Sequence, residues 1–354
     1  MQLKYKISVI IPTFNAEDYL LEAFESIKNQ SMGFESIEVI LVDDKSSDKT
    51  PDLIKELSKE YENVKSIILE ENTGTASGPR NKGIEESSAD YVIFLDNDDI
   101  LYPEMCQKLY ETITNEDADI VNCRYTIDSK NSSKSPYSFL DNFNPKDYPN
   151  FKGEFDKDKQ IIRLNSIYDF PNIMALGYTT MIWNKIFRKS TILENNIQFP
   201  LGDLYEDAYF TSKFYLHARK IILLNDFYGY GYQLRTEGEN KSFCQTFSSS
   251  MLHKTLKGFL EIMKILQDKK EFEIFKSELI VDLTKIFIYS DLNKQEQKEF
   301  LEIMKPYYNE YPLSQKIQTT RLAFNYIINI FIKIFAKSTR IPILIADLYK
   351  RIPF

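Results

Sequence analysis

The chain has 354 residues and 41.6 kDa, room for two domains or one large core with an appendage. Asp and Glu number 52 against 44 Lys and Arg, a net charge of −8, which excludes a protein that works by gripping nucleic acid. Hydrophobic residues at 43% and aromatics at 14% exclude a disordered chain, and 11 Gly and 13 Pro without a period exclude a fibrous one.

In chain order, Ile7–Ile11, Glu38–Val42, Val64–Leu69 and Tyr91–Leu95 are short apolar, β-branched runs bounded by turn residues, the pattern of buried strands. Between them Glu17–Asn29, Pro51–Tyr61 and Pro79–Ser87 repeat their apolar residues at helical spacing. Thr50-Pro51 and Gly78-Pro79 put proline in a first turn, where its missing N–H costs nothing. Alternating strands and helices predict an α/β fold with a mostly parallel sheet. Ligands of such sheets sit outside the carboxyl ends of the strands.

Asp128–Lys159 is rich in Asn, Ser, Lys, Asp and Pro but carries Tyr137, Phe139, Phe143 and Phe151. It reads either as a solvated loop or as a partly packed lid. Met181–Phe187 predicts a strand and Glu206–Ala218 a helix; beyond about residue 245 the pattern is helical and poor in glycine. Cys106, Cys123 and Cys244 form no CxxC pair, so a reducing compartment is expected. With two histidines, His217 and His253, a histidine-built metal site is not expected. The first residues lack the pattern of a secretory signal, and a cytoplasmic location is expected.

The strand ends carry the chemistry. Strand one ends in Pro12-Thr13-Phe14-Asn15, strand two in Asp43-Asp44, strand four in Asp96-Asn97-Asp98-Asp99. Neither GxGxxG nor GxxxxGK[ST] follows any strand, which sets aside Rossmann dehydrogenases and P-loop enzymes. Carboxylates crowded on one rim repel unless a cation joins them, and a hard divalent ion taking one or two carboxylates plus phosphate oxygens would do so. A single Asp after a strand is commonly a turn former or helix cap, the reading that suits Asp48 and is open for Asp43.

Five motifs in order, Pro12–Asn15, Asp43-Asp44, Asn72-Thr73-Gly74 with Pro79–Gly83, Asp96–Asp99 and Tyr205-Glu206-Asp207, resemble those of family-2 glycosyltransferases with a GT-A fold. Among these the chain is similar to bacterial wall teichoic acid and capsule glycosyltransferases. The resemblance covers residues 1–240 and implies a GT-A catalytic domain there, with a nucleotide-binding half at 1–125 and an acceptor half at 126–240, followed by a helical region at 241–354. It implies an inverting transfer from a UDP-sugar to a hydroxyl of a glycan or polyol-phosphate acceptor, aided by Mn²⁺ or Mg²⁺. Pro12, Thr13 and Asn15 correspond to the segment against the base, Asp44 to the acceptor of the uracil N3–H, and Asn72 and Arg80 to the closing side of the nucleotide pocket. Asp96 matches the sugar-side aspartate, Asp98 the metal ligand and Asp207 the general base, which a helix N-terminus is expected to keep ionised. Arg80 and Arg235 are expected near the diphosphate. Gln233-Leu234-Arg235 departs from the QxxRW pattern of processive enzymes, so one addition per encounter is expected.

Leu322–Ala336 is apolar except at Asn325, Asn329 and Lys333, and from Arg321 onward basic residues outnumber the acidic Asp347 six to one. The stretch is shorter than the ~20 residues that span a bilayer. A helix lying on anionic lipid and a buried or homo-oligomeric helix both fit. Two rival functions are a sugar nucleotidyltransferase and a non-catalytic glycan-binding relative. The first needs a Gly-rich, Arg-bearing turn after strand one, which Pro12–Asn15 is not. Asp98 and Asp207 speak against the second.

Overall fold

The computed structural model describes residues 5–129, 132–134, 143–175, 180–202, 205–233, 249–290 and 292–309. One mixed sheet organises them. Its strands are β1 (Ile7–Thr13), β2 (Ile37–Asp43), β3 (Val64–Ile68), β4 (Tyr91–Phe94), β5 (Ile100–Leu101), β6 (Ile120–Ser129), β7 (Ser132–Lys134), β8 (Glu154–Asp156), β9 (Ile161–Leu164), β10 (Lys185–Arg188) and β11 (Ile221–Gln233). The spatial order is β3-β2-β1-β4-β10-β6-β11-β9-β8, with β5 on β11 and β7 on β6. β1, β2, β3 and β4 run parallel, β10 enters antiparallel between β4 and β6, and β6 pairs parallel with β11.

Each element follows from its local sequence. β1 and β2 are buried at all seven positions, as strands covered on both faces must be. The helices α1 (Leu20–Lys28), α2 (Thr50–Glu60), α3 (Ser77–Glu86) and α4 (Met105–Asn115) fill the crossovers. On α1 the buried Leu20, Ala23, Phe24 and Ile27 recur at helical spacing against the sheet. Asp48 accepts from the Thr50 N–H at 3.0 Å at the start of α2, the capping role its position suggests. α3 lies close on β1 because Gly83 has no side chain: a Cβ there would overlap Ile10.

Further along stand α5 (Asn172–Ala175), α6 (Lys189–Glu194) and α7 (Glu206–His217), then α8 (Ser249–Leu266), α9 (Glu273–Tyr289) and α10 (Lys294–Asn309). The strand expected at Met181–Phe187 forms only as β10, because residues 181–184 are a turn whose Ile182 and Trp183 are buried as side chains without ladder pairing. Their apolar run marks burial, which a strand and a turn can share. Of the polar segment 128–159, residues 143–155 pack: Phe143 is buried and meets Tyr148, Phe151, Phe155 and Phe170 at ring distances of 5.1–5.6 Å. Tyr137 and Phe139 lie outside the described residues. So do Cys244, Arg235 and the whole tail from Arg321.

The register brings the strand ends level. Thr13 pairs with Asp43 at the tips of β1 and β2, and the Leu95 N–H donates to the Ile10 carbonyl one residue beyond β4. The loops after β1, β2 and β4 therefore open on one edge.

Candidate active site

A cavity of about 370 Å³ opens at that edge. Its wall includes Pro12, Thr13, Asn15, Asp44, Asn72, Arg80, Asp96 and Asp98. Eight of the ten candidate binding or catalytic residues thus meet in one hollow; Asp207 reaches it through Arg80, and Arg235 is outside the described residues.

Short polar bonds fix each loop. Asn15 sits in the left-handed region, with φ of 47°, which Asn tolerates better than most residues. Its N–H donates to Ser46 Oγ at 2.8 Å and its Oδ1 accepts from the Ser47 N–H at 2.9 Å, tying the first loop to the second. Asp43 accepts from the Ser46 N–H at 2.8 Å and from its hydroxyl, so it is a turn former. Asp44 is buried, and its Oδ1 accepts from both the N–H and the hydroxyl of Thr73 at 2.9 Å. Asn72 Nδ2 donates to the Asp44 carbonyl at 2.8 Å, while Asn97 Nδ2 donates to the Pro12 carbonyl at 2.9 Å. Phe14 is 50% exposed at the mouth, an apolar face left open to a ligand.

Arg80 is the centre of the charge distribution. Only 4% of its side chain is exposed. Nη2 bonds Asp96 Oδ1 at 2.9 Å; Nη1 bonds Asp207 Oδ1 at 2.6 Å and Glu206 Oε1 at 3.2 Å. Nε is buried without a hydrogen-bond partner. Sequence reading offered Arg80 to a diphosphate; the folded chain instead spends its two terminal nitrogens on three carboxylates from two distant segments. Burial pushes the Asp207 carboxyl up, to about 8, against the lowering pull of Arg80, and Glu206 and Asp96 add to the rise. Glu206 shifts up as well, mainly by burial. The helix N-terminus was expected to keep Asp207 ionised; loss of water around the carboxyl outweighs that dipole.

Tyr205, the residue before α7, has φ of 69°. A bulky side chain in the left-handed region costs about 1–3 kcal/mol and is found where surrounding contacts over-determine the backbone. It aims the Glu206-Asp207 pair at Arg80. Beneath the site Lys185 is wholly buried, and burial pulls its ammonium down to about 7.

Three residues that join the site were given no role of their own by the sequence. Asp99 is 1% exposed and accepts from the Tyr230 hydroxyl at 2.6 Å and from the Gln233 N–H at 2.8 Å. Tyr230 stacks on Trp183 with ring centres 4.3 Å apart and accepts from the Asp96 N–H at 3.4 Å. Burial and the neighbouring Asp96 and Asp98 push the Asp99 carboxyl well up. Glu206 is the third. The Asp96–Asp99 run and the Tyr228–Tyr232 alternation contained the signal, but only the fold pairs them.

Residues 8–176 match the family model described as glycosyl transferase family 2. Those residues carry a domain of that family. The poly(ribitol-phosphate) beta-glucosyltransferase of Bacillus spizizenii is 33% identical over 238 residues, 67% of this chain and 33% of that protein. The poly(ribitol-phosphate) beta-N-acetylglucosaminyltransferase TarP of Staphylococcus aureus is 31% identical over 224 residues, 63% of this chain and 61% of that protein. The chain thus spans a third of the length of the first relative and under two thirds of the second. A crystal structure of S. aureus TarS 1–349 in complex with UDP-GlcNAc superposes with a TM-score of 0.63 at 24% identity, covering 88% of this chain and 82% of that one. That likeness concerns the fold, the GT-A arrangement of a mixed sheet flanked by helices with further helices behind it.

In the family-2 domain, the donor set fits a hard divalent ion shared with a ligand. Among the described residues no group of three or more His, Cys, Asp or Glu stands ready to hold a metal alone. Asp96 and Asp98 on the cavity wall are the carboxylates that could hold a Mg²⁺ or Mn²⁺ ion together with phosphate oxygens and water. No helix among the described residues is long and apolar enough to cross a membrane.

Proposed function

We propose that this chain is an inverting, divalent-metal-assisted glycosyltransferase that moves a sugar from a UDP-sugar to a hydroxyl of a glycan or polyol-phosphate acceptor in cell-surface polysaccharide synthesis. The observation that carries this reading is the convergence on Arg80 of Asp96, from the end of β4, and Asp207, from the start of α7. One guanidinium joins the donor-side carboxylate to the candidate base. The relatives add support: two are poly(ribitol-phosphate) glycosyltransferases, and the TarS structure is a complex with UDP-GlcNAc.

On this reading Asp44, anchored through Oδ1 to Thr73, accepts the uracil N3–H; cytosine lacks that proton, so the contact selects uracil. Pro12, Thr13 and Asn15 hold the base side, with Asn72 and Arg80 closing the pocket. Asp98 holds the ion, which when bound offsets the charge gathering on the leaving diphosphate. Asp207 takes the proton from the attacking acceptor hydroxyl, and a carboxylate with a raised pKa is the better proton acceptor near neutral pH. Arg80 keeps that carboxylate oriented. Arg235 contacts the diphosphate. Division into a catalytic domain at 1–240, with its 1–125 and 126–240 halves, and a helical region at 241–354 belongs to the same proposal. So does peripheral contact of the basic, apolar tail with the inner face of the cell membrane.

Calorimetry with UDP-sugars, with and without Mn²⁺, tests the assignment. The wild type is expected to bind its donor more tightly with the ion, and Asp98→Ala to lose about tenfold or more of that gain. Equal donor affinity of the variant and the wild type in Mn²⁺ would remove Asp98 from the metal site. A chain that binds no nucleotide sugar would return the non-catalytic reading.

A further inference from the structure

We infer that Lys254, on α8 and outside the motifs of the catalytic domain, binds a phosphate of the nucleoside diphosphate that enters the cavity. This rests on the donor-cavity reading above. A nucleoside diphosphate brings two or more negative charges to a wall that already holds Asp44, Asp96 and Asp98. Among the described residues the one cationic side chain in that wall is Arg80, and its terminal nitrogens are committed to three carboxylates. A single divalent ion balances the diphosphate only in part and leaves those carboxylates opposing it.

Lys254 stands at the edge of that wall. A Cβ built on Gly74 would lie 4.0 Å from its Nζ, and Gly74 is part of the cavity wall. Gly74 has φ of +80°, and its N–H is held by Asn72 Oδ1 at 2.8 Å, so the loop presents bare backbone to the lysine. Lys254 is half-buried and makes no hydrogen bond or ion pair among the described residues. An ammonium on a four-carbon stem has three donors and the reach to swing across a glycine towards a phosphate. α8 packs against α7, so the helix after β11 supplies a second cation beside the one that the proposal gives Arg235.

The test measures UDP binding by calorimetry and uridine binding by NMR titration, on the full chain with Mn²⁺ throughout. Wild type, Lys254→Met and Lys254→Arg are compared. Lys254→Met keeps the apolar stem and is expected to weaken UDP about tenfold, since a hydrogen bond to a charged group is lost, while uridine binding stays unchanged. Lys254→Arg is expected to retain most of the UDP affinity. UDP binding by Lys254→Met at wild-type strength overturns the assignment. Equal weakening of UDP and uridine also overturns it, by making Lys254 a packing residue. If the wild type binds neither ligand, the donor-cavity reading itself falls; if it binds both equally well, only the phosphate contact falls.

Discussion

Arg80 faces three carboxylates with one positive charge, and its side chain is nearly out of water. A buried ion pair of this kind adds little net stability, because desolvation cancels most of the attraction. It adds orientation: one planar guanidinium holds Asp96 and Asp207 in a fixed relation. Asparagine at 207 can still accept from Nη1 but cannot take a proton. Asp207→Asn is therefore expected to keep donor binding while transfer falls by about 10²–10⁴-fold, read as product formed by the purified chain. Turnover at the wild-type rate would remove the base assignment. The raised pKa sets the pH dependence. Below it the carboxyl holds a proton and cannot act as a base, so kcat/KM should rise with pH, with its midpoint well above the ~4 of an ordinary aspartate.

Strand β11 reaches the loop that follows β4. Its Tyr230 joins the Asp96–Asp99 loop by two hydrogen bonds and stacks on Trp183, which also faces Tyr232 at 5.8 Å and Tyr125 at 4.6 Å. Four aromatic rings thus pack around the strand whose Tyr230 hydroxyl holds the Asp96–Asp99 loop. Tyr230→Phe keeps the ring and deletes the hydroxyl, leaving Asp99 Oδ2 without that donor. Loss of about 1.5–3 kcal/mol in urea unfolding is expected, together with a raised KM for the donor as Asp98 loses its support. Unchanged stability and KM would mean that the Tyr230–Asp99 bond does not position the loop. The β10 segment teaches a related lesson at the same scale. Residues 181–184 are apolar enough to be read as strand, yet they turn, because Trp183 is needed edge-on to Tyr125 and in a stack with Tyr230.

At the scale of the molecule, one continuous sheet runs from β3 to β8, and the helices α8 to α10 follow it. α8 packs on α7, so the helical region touches the very helix that carries Asp207. The overall charge of −8 contrasts with the basic tail from Arg321, which lies outside the described residues. On the proposal above, that basic tail meets anionic lipid. Flotation with anionic liposomes should carry the full chain upward, and a chain ending before Arg321 should remain in the dense fraction. Equal flotation of the two would exclude a membrane role for the tail and favour a helix packed within or between chains.

The sequence by itself determined the alternation of strands and helices through residue 95, the helix at Glu206, and the order of the motifs at the strand ends. Those features are local: buried parallel strands read as apolar runs, and turn residues and prolines mark their limits within three residues. The resemblance of its motifs to those of family-2 glycosyltransferases singled out Asp44, Asp96, Asp98 and Asp207. Only the tertiary structure decided what those groups touch. That Arg80 bonds carboxylates 16 and 127 positions away, that Asp99 answers Tyr230 across 131 positions, and that Lys254 lies over Gly74 are long-range facts with no local signature. The charge state of Asp207 belongs with them, since burial, which no stretch of sequence records, outweighs the helix end that the sequence displays.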